Sequence, residues 1–175
     1  MAPTLETFCA QCRAVLKSGE PLATGLPVMA AHLARLVADP TFVAATWQPG
    51  DTFAKKALFR DQDTDFLVLA HVHQGPKEGP PHSHGASWAI YGTALGVTSM
   101  KEWRRINPDA EGGAVLALAE RYDLAAGEAR SYGPHLIHST IHPGPAWVIR
   151  VTGTNLDVLP RYRFDKKRDR IAEAA

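Results

Sequence analysis

No stretch of this chain is apolar for long. The longest such runs, of which 66–72 is one, fall far short of the roughly 18 residues a membrane span needs. Cysteine is scarce as well. Cys9 and Cys12 are the only two in 175 residues, too few for a disulfide framework and in keeping with a reducing compartment. Charge of one sign is also missing: 19 Lys and Arg against 18 Asp and Glu leave a net charge of +1, so no global field draws in nucleic acid or acidic lipid. The first residues lack the basic, apolar, small-residue order of an export leader, so a soluble, cytoplasmic protein with no nucleic-acid or membrane partner is expected. Internal repeats and low-complexity segments are absent. With 45% hydrophobic and 21% charged residues, the chain has the composition of one folded domain with an ordinary core. What it has in quantity is histidine, eight in all.

The apolar spacing divides the chain. Leu5, Phe8, Cys9, Cys12, Val15 and Leu16 recur at intervals of three and four behind Thr4, an N-cap residue, and Gly19 ends that helix. A second helix is expected from about Pro27 through Met29, Leu33 and Leu36 to Val37, stopped by Asp39-Pro40. Beyond Pro49-Gly50-Asp51 the pattern becomes short apolar or alternating runs between Gly-, Pro- and Asn-rich connectors, the mark of an antiparallel sandwich or barrel. Strands are expected at 57–59, 66–73, 87–91, 94–103, 115–124, 130–138 and 147–152, with turns at 74–81 and 107–114. The expected organisation is a single domain: helical segment 1–50, β-barrel 57–164 and a polar, solvated tail 165–175 whose charges alternate in sign.

The strongest local signal is Gly79-Pro80-Pro81-His82-Ser83-His84-Gly85. On an extended segment His82 and His84 project from one face and can reach a single metal ion, but a pair two apart fits a structural strand histidine nearly as well and needs a third ligand. His135-Leu136-Ile137-His138-Ser139-Thr140-Ile141-His142 offers three, His135, His138 and His142. His71 and His73 repeat the two-residue spacing one strand earlier and read as imidazoles of the core or its surroundings, held by hydrogen bonds. Cys9-Ala10-Gln11-Cys12 has redox or zinc spacing, but no partner pair follows and both sulfurs fall on the apolar side of a helix, so core packing is expected. Trp88, Tyr91 and Trp103 read as core or cavity walls, and Tyr91, close to the histidine pair, has a hydroxyl to offer a substrate.

The order of a histidine pair followed by a distant histidine near a strand end resembles the cupin family. Residues 79–92, with His82, His84 and Gly92, look like its first motif, and 133–142 like its second. The resemblance implies a mainly β fold, a double-stranded β-helix carrying N-terminal helices. It also implies a carboxylate ligand where Trp88 and Ala89 stand, so the glutamate is missing. Three histidines without a carboxylate are similar to the thiol dioxygenase branch, the cysteine and mercaptopropionate dioxygenases. That likeness points to His138 as third ligand, with His135 and His142 as rivals, and to Arg60 as the holder of a substrate carboxylate, although Arg60 paired with Asp61 or Asp63 on the surface fits equally well. The branch's Ser, His and Tyr triad is replaced by Val148, Arg150 and Thr152, which share one face of a strand. Facing inward, Arg150 would be a second anion clamp; facing outward, it would be ordinary alternation.

Three imidazoles on one face of an octahedral ion leave positions for a chelating substrate and for dioxygen. The expected activity is therefore Fe(II)-dependent dioxygenation of a small acidic molecule, a thiol or another chelator, with Ni, Zn or Mn as other candidate metals. Its partners would be that substrate and dioxygen, and the resemblance further implies a homodimer. The rival readings are a metal-binding cupin without turnover, acting as sensor or store, and a domain whose histidines are merely structural.

Overall fold

The structure is a computed structural model and describes residues 2–108, 113–159, 162–165 and 169–172. Three helices come first, α1 (Leu5–Lys17), α2 (Leu22–Val37) and α3 (Pro40–Thr46). Thr4 caps α1 as its spacing predicts: its Oγ1 accepts from the Thr7 backbone N–H, while Thr7 Oγ1 accepts from the Thr4 N–H. Helix α2 begins five residues before the expected Pro27, which lies inside it, and it starts at Pro21 without a side-chain cap. Asp39 does end α2, and its carboxylate then caps α3, accepting from the N–H groups of Thr41 and Phe42.

The strands are β1 (Lys56–Arg60), β2 (Leu67–His73), β3 (Lys77–Glu78), β4 (His82–Ser83), β5 (Ala89–Leu95), β6 (Val97–Arg105), β7 (Val115–Ala125), β8 (Ala129–Tyr132), β9 (Ile137–His142), β10 (Ala146–Thr152), β11 (Tyr162–Arg163) and β12 (Arg170–Ala172). They form two sheets. One has the order β1-β2-β10-β5-β8; the other runs β11-β4-β9-β6-β7-β12, with β3 added on β9. Pairing is antiparallel except for β12 on β7. The run expected at 94–103 is broken at Gly96, where the chain passes from β5 in one sheet to β6 in the other. Similarly, 130–138 divides into β8 and β9. Within the expected tail, Asp169 is buried, its carboxylate accepting from the Ala114 and Asp165 N–H groups, and β12 extends the sheet. The tail is therefore not solvated throughout.

The five-stranded sheet is covered on both faces, so its strands read as nearly continuous apolar runs. Val68, Ala70 and Val72 of β2 and Ile149 and Val151 of β10 pack against Phe8, Cys12, Leu33, Leu36 and Phe42 of the helices. Trp47, just past α3, stacks on Trp147 of β10 with ring centroids 5.7 Å apart. Cys9 and Cys12 are buried free thiols in this layer, and burial pushes the Cys9 thiol up to about 12, which leaves it unreactive. The opposite face turns Ala89, Tyr91 and Val148 toward Met100 and Tyr132. Parity thus places Val148 and Arg150 on the side away from the helices.

Candidate metal centre

The register of β4 and β9 builds the site. His82 lies directly opposite His138 in that antiparallel pair, where facing side chains are close neighbours. His84 stands just past β4, beside the turn at Gly85, whose φ is +60° and whose carbonyl accepts from the His135 N–H at 2.7 Å. The three rings form a triangle, with centroids 4.6 Å apart for His82 and His138, 4.9 Å for His84 and His138, and 5.2 Å for His82 and His84. One nitrogen from each lies within 4.8 Å of the others. Of the rivals, His135 is exposed on a turn with a φ of 63°, and His142 stacks against His73 with centroids 3.6 Å apart.

The nitrogens are sorted by their neighbours. His82 Nδ1 is 3.1 Å from the Pro80 carbonyl, which can only accept, so it carries the hydrogen and leaves Nε2 for a metal. Nε2 of His84 and Nε2 of His138 each lie 3.5 Å from the Tyr91 hydroxyl, so both point to one place. His138 is 1% exposed, and burial, with His82 next to it, pushes its pKa down to about 3. A neutral ring with a free lone pair is the form a divalent metal requires. These three residues fit such an ion.

Sequence reasoning missed what lies behind the triangle. The Tyr132 ring sits 5.0 Å from that of His138, and its hydroxyl is 2.8 Å from the Tyr122 hydroxyl, which donates to Glu102 at 2.7 Å. Arg130 lies 3.9 Å over the Tyr122 ring. This chain fixes the floor against which His138 rests. Its members come from β6, β7, β8 and β9, and no local spacing signals it.

In front of the triangle is a cavity of about 390 Å³ lined by His71, His73, His82, His84, Tyr91, His142, Val148 and Arg150, with Lys77, Glu78 and Arg163 also on its walls. Arg150 faces inward, and its Nε is buried without a hydrogen-bond partner. Arg60 is elsewhere. It lies on the outermost strand of its sheet, its side chain is 58% exposed, and it donates twice to Asp65, so the role in carboxylate binding assigned to it from resemblance is corrected. The surface reading holds, with Asp65 as partner rather than Asp61 or Asp63.

Three imidazoles on this wall are held neutral. Burial, then Arg150, pushes His71 down to about 4; burial, then His142, pushes His73 to about 3; burial, then Lys77, pushes His142 to about 4. Each would take a proton near 6.5 once unfolded, so their contribution to stability is complete above that pH and is lost as the pH falls toward 4. Each costs about 1.4 kcal/mol per pH unit in that window. Urea midpoints are expected to fall steeply between about pH 6.5 and 4.5; a level profile would contradict this.

The architecture is a double-stranded β-helix. Some solved structures resemble it at low sequence identity. KdgF from Halomonas sp. is 18% identical over 65% of this chain and 92% of its own, with a TM-score of 0.46. An uncharacterized conserved protein with a double-stranded β-helix domain from Klebsiella pneumoniae is 15% identical over 68% and 89%, at 0.43. An oxalate oxidase is 12% identical over 67% and 58%, at 0.45. No family model matches the sequence. No curated protein matches it either. Among the described residues no single helix is long and apolar enough to cross a membrane.

Proposed function

We propose that this protein is a non-haem Fe(II)-dependent dioxygenase acting on a small acidic molecule, a thiol or another chelator, with His82, His84 and His138 holding the metal. The observation that carries this reading is a group of three imidazoles with no carboxylate among them, set at a cavity that His82 and His84 line together with Arg150, whose Nε has no partner. When bound, Fe(II) would bring substrate and dioxygen together, and three neutral ligands would leave its charge to be balanced by an anionic donor such as a thiolate or enolate.

The chain's own residues do the rest. Arg150 binds the substrate's negative charge and sets its orientation, offering a guanidinium whose Nε is buried and unpartnered at the cavity wall. Tyr91, with its hydroxyl 3.5 Å from two of the imidazoles, offers a hydrogen bond to whatever lies at their meeting point. Val148 and the histidines of the far wall bound the space left for a substrate.

The test is oxygen uptake by Fe(II)-loaded protein across a panel of thiols, acids and diketones. At least one compound is expected to drive uptake, and Arg150→Leu is expected to lower kcat/KM for it by about 100-fold, mostly through KM. Bound metal with no uptake from any compound would overturn the enzyme reading and leave a sensor or store.

A further inference from the structure

The wall facing the three imidazoles holds polar groups that metal binding does not use. His71 Nδ1 is 2.7 Å from the Ala54 carbonyl oxygen, which can only accept, so Nδ1 carries the hydrogen. The neutral ring then presents Nε2 as a lone pair, and that atom is buried with no hydrogen-bond partner. Arg150 Nε, a donor, is buried and unpartnered in the same way. In the register of β2 and β10, His71 faces Val148 and Arg150 faces Leu69, so the imidazole and the guanidinium are diagonal neighbours on the cavity side of one sheet. An orphan acceptor beside an orphan donor calls for a ligand that answers both. Charge narrows its chemistry. Lys77, Arg150 and Arg163 line this cavity, and Glu78, the one carboxylate among the described lining residues, lies 3.7 Å from the Lys101 ammonium. An ammonium on the ligand would meet like charge, whereas a hydroxyl donates without it.

We infer that the cavity takes a short hydroxy acid, with Arg150 on the carboxylate and His71 Nε2 accepting a hydrogen bond from the hydroxyl. This rests on the reading of the cavity as the substrate site, and it makes His71 the residue that selects hydroxy acids over amino acids and plain acids.

The test is calorimetric titration of the protein, as isolated and again after chelator treatment, with lactate and 3-hydroxypropanoate against propanoate, alanine and β-alanine. One hydroxy acid is expected to bind about tenfold more tightly than propanoate and than its amino counterpart, in both preparations. His71→Leu should erase that advantage while propanoate binding stays, and His71→Gln, whose amide oxygen still accepts, should keep part of it. Arg150→Leu should weaken all the acids by about 100-fold. Equal affinities, a preference for the amino acids, an advantage untouched by His71→Leu, or no binding at all would each overturn the inference. Because the chelator-treated protein is read separately, loss of the metal reading leaves this result legible, and the reverse holds too.

Discussion

Exchanging His138 for alanine is expected to lower the affinity for a divalent transition metal by more than about 100-fold, beyond what loss of a supporting hydrogen bond costs at such sites. The geometry leaves no substitute. His138 faces His82 across the β4 and β9 pair, and with it gone two imidazoles remain, while His142 is stacked on His73 and His135 lies on an exposed turn. The fold should survive. The lost ring is neutral, its Nδ1 closes no hydrogen bond of ordinary geometry, and the hydrogen-bonded pair Tyr132 and Tyr122 behind it keeps its partners. Competition against a chromophoric chelator, with near-ultraviolet circular dichroism as the check on folding, reads both. An unchanged affinity would move the metal to another group of histidines.

The second large effect is on stability. Gly96 has a φ of +76°, and a Cβ there would lie 2.2 Å from the Pro145 carbonyl oxygen and 3.2 Å from the Ala146 Cα. Both obstacles are backbone, so no rotamer relieves the clash, and the conformation itself disfavours a side chain. The position also matters to the whole, since Gly96 is where the chain leaves the sheet of Arg150 and Tyr91 for the sheet of His138. Gly96→Ala is expected to cost about 4 kcal/mol or more and to reduce soluble yield. Denaturant midpoints test it; a loss below about 1 kcal/mol would show that the two sheets are not joined so tightly here.

The histidine pair was legible because two residues two apart on an extended segment share a face, and this holds here although β4 ends at Ser83 and His84 stands just past it. The third member was not settled by spacing, since His135, His138 and His142 are all within reach along the chain, and only the pairing of β4 with β9 separates them. The orientation of Arg150 was hidden for a different reason. Both faces of its sheet are buried, one under the helices and one over the cavity, so alternation along β10 carries no polar signal. Arg60 misled because position along the chain relative to the histidine pair says nothing of which way an edge strand turns its side chains. The early start of α2 escaped because Leu22 is exposed and Pro27 looks like a first-turn residue. The strand at 170–172 lies within a run of alternating charges and is held by the backbone of β7 and the carboxylate of Asp169, long-range partners that no local pattern announces.

Metal binding here requires three imidazoles to meet at one ion. X-ray absorption on protein loaded anaerobically with one equivalent of Fe(II), wild type beside His138→Ala, tests this most directly. The wild type is expected to show imidazole scattering from three rings at about 2.1 Å, typical of metal–imidazole bonds, and the variant to lose both the bound metal and that signal. A wild type that takes up no metal, or whose imidazole scattering is the same in the variant, would contradict it.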